Sequence, residues 1–200
     1  MRMTETDENL MLSVRDGDVK KLGVLFDRHH RGLFDFFIRM TGSRTVADDL
    51  VQEVFFRMLK YRKTFRDESW FRAWMFHIAR NARFDHYRNH HQESELPEER
   101  AEAVPSRSPM PGRELEETQQ AVILERALFK LAPEKREVLV LSRYQDMKYE
   151  EIASLMGCEV GTVKTRVHRA LKELKDVVLK LSNEKQPCNV KESANSLPIM

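Results

Sequence analysis

Two hundred residues suffice for one large or two small domains, and a content of 41% hydrophobic and 33% charged residues provides apolar material for modest cores. No apolar run reaches the length of a membrane span, and Met1 leads into polar, acidic residues rather than a signal peptide, so a cytoplasmic location is expected. A net charge of +2 means that any nucleic-acid surface must come from where charges lie, and Cys158 and Cys188, the only cysteines, offer neither metal-ligand spacing nor a disulfide framework.

Helical period dominates the chain. Over residues 19–40 the apolar positions Leu22, Leu25, Phe26, Leu33, Phe36, Phe37 and Met40 recur at three and four, with Asp18 as the expected cap and Gly42 as the stop. A second helix is expected over 45–61, opening at Thr45 with Asp48 three residues on, a variant of the capping box. A third starts after Ser69 and runs to about His91. Residues 92–117 hold four of the seven prolines and eight Glu against three Arg, a composition that cannot offset its ordering entropy and reads as a flexible linker. Further helices are expected over 118–131, 134–144, 149–156 and 160–181, with Pro133 in the first turn of one of them, before a loose polar tail over 182–200. No segment has strand period. The expected fold is all-α, with two small helical domains over 8–91 and 118–181.

Three surfaces carry the chemistry. On the 45–61 helix, Ala47, Leu50, Val51, Val54, Phe55 and Met58 fall on one side, and Asp49, Gln52, Glu53, Phe56 and Lys60 on the other. An aromatic ring among acids suits a docking face better than a solvated one. On the 69–91 helix, Phe71, Trp74, Met75, Ile78 and Ala82 make an apolar stripe, and beside it run Trp70, Trp74, His77, Asn81, Phe84 and Arg88. Rings stack on unstacked bases, Asn reads a base edge and Arg holds phosphate, while Arg62, Lys63 and Arg66 lie on the preceding loop. Residues 148–174 read as a helix-turn-helix: Tyr149, Ile152, Ala153 and Met156 pack the first helix, and Gly157 permits the turn. In the second helix Val163, Val167, Ala170, Leu171 and Leu174 face inward, Thr165, His168, Arg169 and Lys172 outward, and Lys164 lies on the flank.

ADDLVQEVFFR (47–57), SWFRAWMFHIARNARFDHYR (69–88) and LAPEKREVLVLSRYQDMKYEEIASLMGCEVGTVKTRVHRALKEL (131–174) resemble, in order and spacing, the extracytoplasmic-function group of the sigma-70 family of bacterial RNA polymerase sigma factors. The resemblance spans nearly all of residues 8–180 and implies sigma region 2 followed by sigma region 4. It implies that Asp48, Asp49, Gln52 and Glu53, with Phe56 among them, dock on the clamp helices of the polymerase beta-prime subunit, the beta subunit being a further partner. It implies a minus-ten surface built from Lys63, Arg66, Trp70, His77, Arg80, Asn81, Arg83, Phe84 and Arg88, in which loop 62–70 and Asn81 capture a flipped promoter base. Thr162, Lys164, Thr165, Arg166, His168, Arg169 and Lys172 are the matching minus-thirty-five positions in the major groove. An anti-sigma partner is implied as well, and no cofactor.

The chain departs from the family pattern where Glu159 replaces the usual Ser or Thr cap of the recognition helix, and His168 is an uncommon reading residue. Two other classes compete. A stand-alone helix-turn-helix regulator would leave the acidic face and the aromatic line without a role. An enzyme lacks support, since there is no phosphate-cradling Gly loop or nucleophile motif, and the pairs His29/His30 and His86/His90 have no acids or cysteines at ligand spacing.

Overall fold

The computed structural model describes residues 5–93 and 114–184, and among them every regular element is helical. The elements are α1 (Asp7–Asp16), α2 (Lys21–Thr41), α3 (Arg44–Lys60), a 3-10 turn (Arg62–Thr64), α4 (Phe71–Glu93), α5 (Glu114–Lys130), α6 (Pro133–Leu139), α7 (Tyr149–Met156) and α8 (Val160–Glu184). Helix α6 runs on into a π turn over Val140–Tyr144. The centre of the expected linker, 94–113, and the tail beyond 184 lie outside the described residues, as does Cys188. The linker's edges are helical. Helix α5 starts at Glu114, ahead of the expected 118.

The sequence reading missed α1. Thr6 caps it, its hydroxyl accepting from the Asn9 N–H at 3.3 Å, and Asp7 and Glu8 complement its first turn. Leu10, Met11 and Val14 are buried on its inner face. Two expected caps are corrected. Asp18 does not cap α2 with its side chain; a backbone turn leads in, and the Asp18 carbonyl accepts from the Lys21 N–H at 3.1 Å. Helix α3 is capped by Ser43, whose Oγ accepts from the Val46 N–H at 3.4 Å, so Thr45 lies inside the helix.

The first unit packs α2, α3 and α4 with α1 across them. Its centre is aromatic: Phe36 meets Phe37 at 5.3 Å and Phe76 at 5.2 Å between ring centroids, and all three are fully buried. The six apolar positions expected to be buried on α3 are all buried. Phe26 departs from expectation. It is 40% exposed, stacks on His30 at 4.9 Å and leans on Phe55. Helix α4 buries more than its foreseen stripe, adding Ala73, Phe76 and Ala79, because it is covered by α3 on one side and α7 on another.

The second unit, α5 to α8, buries Leu128, Leu131, Val138, Leu139, Ile152, Val163, Val167 and Ala170. The two units pack on each other, and their buried residues form one continuous cluster. Arg136 of α6 donates to the carbonyls of Leu128, Phe129 and Leu131, and also to that of Met40 near the end of α2. Arg39 lies over the Tyr144 ring at 4.2 Å. At Gly32 of α2 the two units come close, since a Cβ there would stand 3.0 Å from Gln145 Oε1.

Replacing Phe36 by Ala removes a fully buried ring with two edge-to-face partners, and is expected to cost about 3–5 kcal/mol. Urea unfolding of the variant against wild type measures it, and a loss under 1 kcal/mol would contradict this core. His29 gives a pH dependence. Burial pushes its pKa below the ordinary 6.5; Asp7, whose Oδ2 is 2.7 Å away, pulls it back in part, and Arg72 and Arg28 lower it further. The unfolded chain therefore binds more protons than the folded one as the pH falls through 6.5, and stability declines there until the folded-state pKa is passed. His29→Gln keeps a donor for Asp7 without a titrating ring. Its melting temperature is expected to fall less than that of wild type between pH 7.5 and pH 5.5.

Candidate nucleic-acid interface

The geometry of residues 148–172 is that of two helices meeting at a turn. The Lys148 N–H donates to Glu151 Oε2 at 2.8 Å, which fixes the start of α7. Gly157 ends α7 at φ 60°, a left-handed conformation that suits glycine, and the Cys158 N–H returns to the Ala153 carbonyl at 3.1 Å. Helix α8 follows at once, the Glu159 carbonyl accepting from Thr162 and Val163. Cys158 is half-buried against the core.

Val163, Val167 and Ala170 anchor α8, and Leu171 and Leu174 are half-buried beside them. Thr162, Lys164, Thr165, Arg166, His168, Arg169 and Lys172 are all exposed. Thr165 Oγ1 donates back to the Gly161 carbonyl at 3.0 Å, and Arg166 leans on Met156 Sδ at 3.8 Å. No acid among the described residues pairs with Lys164, Arg169 or Lys172. The outer face of α8 is thus an open cationic row on a rigid rod.

Helix α4 presents a different surface. Trp70 stands just before it, and His77, Asn81, Phe84 and Arg88 follow along one exposed line, with Phe84 67% exposed. Asn81 Nδ2 is 3.4 Å from His77 Nδ1. Arg88 pairs with Asp85 at 3.1 Å. Trp74 is half-buried, its indole N–H donating to Thr64 Oγ1 at 3.3 Å and its ring against Phe65. Lys63, in the 3-10 turn rather than on an open loop as expected, and Arg66, between that turn and the helix, are exposed. The Lys148 ammonium, at the start of α7, lies 6.0 Å from the Trp70 ring.

Arg80 and Arg83 do not share this open line. They turn toward α6, where Glu137 Oε1 lies 2.9 Å from Arg80 Nε and 3.8 Å from Arg83 Nη2. Arg80 also reaches the Leu155 carbonyl at 3.5 Å. Sequence reasoning did not find Glu137, nor Arg72 and Gln145 in the same seam. Helical period assigns charged residues to solvent, and only the packing of two units takes these out of it.

On α3, Asp48, Asp49 and Gln52 are exposed, Glu53 is half-buried, and Phe56 is 60% exposed among them. Glu53 accepts from Arg57 at 2.6 Å, and Arg57 also reaches Asp85 at 2.8 Å, so this face is braced to α4. Among the described residues no group of three metal-ligating side chains occurs, and no helix is long and apolar enough to cross a membrane.

Comparison with known proteins adds the following. The family model for Sigma-70 region 2 matches residues 25–93, and that for Sigma-70, region 4 matches residues 121–174. The chain is 36% identical to the ECF RNA polymerase sigma factor EcfG of Rhodopseudomonas palustris over 143 residues, covering 70% of this chain and 75% of EcfG. It is 30% identical over 162 residues to the ECF RNA polymerase sigma factor SigE of Mycolicibacterium smegmatis, of which it spans 62%, with 80% of this chain covered. Among solved structures, the sigma factor RpoE of Bartonella quintana, in complex with the anti-sigma factor NepR, superposes with a TM-score of 0.61 at 26% identity, covering 81% of this chain and 98% of that one.

Proposed function

The chain belongs to the sigma-70 family of bacterial RNA polymerase sigma factors, in its extracytoplasmic-function group, and on that premise we propose how its surfaces divide the work of promoter recognition. The protein binds polymerase core and directs it to promoters. It is a specificity subunit that does no chemistry of its own, and it works in the cytoplasm. The observation that carries the assignment of surfaces is their coexistence: a ring-and-Asn line on α4 and an open cationic face on α8, in one chain with an acidic docking face on α3.

Asp48, Asp49, Gln52, Glu53 and Phe56 dock on the beta-prime clamp helices, with Phe56 as the apolar anchor inside a polar rim. The beta subunit takes up the second domain. Trp70, His77, Asn81 and Phe84 receive an unstacked minus-ten base, while Lys63, Arg66, Arg80, Arg83 and Arg88 follow the strand's phosphates. Thr162, Lys164, Thr165, Arg166, His168, Arg169 and Lys172 enter the major groove at the minus-thirty-five element. Each DNA contact is weak alone. Fixing both domains to one polymerase makes the second contact intramolecular, and avidity follows. The resemblance to a sigma factor solved with its anti-sigma factor supports a regulator of that kind for this chain.

Gel shifts on promoter DNA with and without core polymerase test the reading. Tight binding by the free chain that core polymerase does not improve would favour a stand-alone regulator instead. Asn81→Ala is expected to slow promoter opening by roughly the 1–2 kcal/mol of a base-edge hydrogen bond, with closed-complex binding little changed. Permanganate footprinting reports the opening, and unaltered melting would remove Asn81 from that role. Arg169→Ala is expected to cost about 1–3 kcal/mol of discrimination at one minus-thirty-five position. A panel of substituted upstream elements in run-off transcription measures it; a uniform loss across the panel would assign Arg169 to phosphate.

A further inference from the structure

We propose that α1 frames the base-capture segment: Arg15 positions residues 62–70, and Glu8 positions the start of α4. The inference rests on the reading of that segment, with Asn81, as the site of an unstacked minus-ten base. Past the 3-10 turn, Arg66, Asp67 and Glu68 are exposed, and such a stretch keeps one path only if contacts from outside hold it. On one side the hold is apolar. Phe65 is 1% exposed, and its ring meets those of Phe71 at 6.3 Å and Trp74 at 5.3 Å. On the other side it is Arg15, in the last turn of α1, whose Nη1 donates to the Phe65 carbonyl at 3.4 Å and also to the Asp67 carboxylate. One guanidinium nitrogen thus ties the backbone just before Arg66 to the side chain just after it. The Asp67 side chain is 71% exposed, so the pair adds little to folding stability; it sets the path of the chain instead.

Glu8 stands nearly two turns before Arg15, on the same side of α1. The Phe71 N–H, one of the first groups of α4 that have no carbonyl within the helix, donates to Glu8 Oε1 at 3.3 Å. The start of α4 is therefore capped from another helix. The buried Leu10, Met11 and Val14 seat α1 on the bundle, and the Trp74 indole N–H, donating to Thr64 Oγ1 at 3.3 Å, ties α4 back to the 3-10 turn. Asn81 follows on the same helix, about 15 Å along its axis from Phe71. One element thus fixes the segment and the helix that bears Asn81 relative to each other. Flipping a base costs unstacking, and a receiving site that must also be ordered adds to that cost. A segment already set in place removes the second part.

The test uses the full chain bound to core polymerase and a single-stranded non-template minus-ten oligonucleotide from a promoter that this holoenzyme transcribes. Fluorescence anisotropy gives the affinity for the intact strand and for strands made abasic at one position after another. With the wild-type chain, one abasic position is expected to weaken binding by roughly tenfold or more, since stacking and edge bonds are lost there. Arg15→Ala and, independently, Glu8→Ala are expected to shrink that penalty to about threefold or less, because the segment no longer meets the base in a set position. Val14→Ala, which loosens the packing of α1 without touching the segment, is expected to lower the melting temperature and keep the penalty. The ratio of intact to abasic affinity does not depend on how much protein is folded, so a merely structural role would leave it unchanged. Should one of the two α1 variants lose its helical circular dichroism, the other decides. A penalty retained in full by the folded variants overturns the framing role, and so does a penalty lost equally in Val14→Ala. If the wild-type chain shows no penalty at any position, the reading of the segment as a base-capture site fails instead.

Discussion

A carboxylate taken out of water must find cations, and Glu137 meets that demand across the boundary between the two helical units. Its neighbour Arg136 makes the complementary bond in the other direction, carrying a buried guanidinium to carbonyls at the end of α5 and to Met40 near the end of α2. Two consecutive residues of one short helix therefore stitch the units together with opposite charges. The exposure of α4 follows from this seam, because it decides which flank of that helix remains in water.

Helix α4 has three faces for this reason. One carries Phe71, Met75 and Phe76 into the aromatic core under α2 and α3. A second presents arginines to the π turn and α6. The third holds rings and Asn81 in water. A helix serving one core needs only one apolar stripe, and the extra buried residues Ala73 and Ala79 are small, as close approach of a second unit requires. The outer face of α8 escapes such coverage altogether, and the acidic face of α3 is held in shape by Arg57 bridging Glu53 to Asp85 of α4. Of the two candidate nucleic-acid surfaces, that on α8 is open, whereas the α4 line is flanked by arginines turned toward the second unit.

Much of this was legible in the residues. The α3 wheel is correct at all six buried positions, and the four residues of α8 expected outward, with Lys164 on the flank, are all exposed, since three-and-four spacing ties burial to angle around a single axis. Terminal signals were less informative. Ser43 rather than Thr45 caps α3, because several polar residues near a helix start can each accept its first N–H, and the backbone path selects one. Helix α1 went unseen because ten residues with three buried side chains give a weak period. Phe26 was expected inside and is 40% exposed, a position that the stripe of one helix alone does not distinguish from Leu25.

The amino-acid sequence by itself determined the helical class, the faces of the helices, the turn at Gly157 and the three candidate surfaces, because each of these depends on residues a few positions apart. Only the tertiary structure decided where Arg80, Arg83, Arg136, Glu137 and Gln145 lie. The partners of Arg80, Arg83, Glu137 and Gln145, and the Met40 carbonyl that Arg136 reaches, stand tens of residues away on the other unit, and a polar side chain carries no local mark of whether it will meet water or a partner in a closed seam.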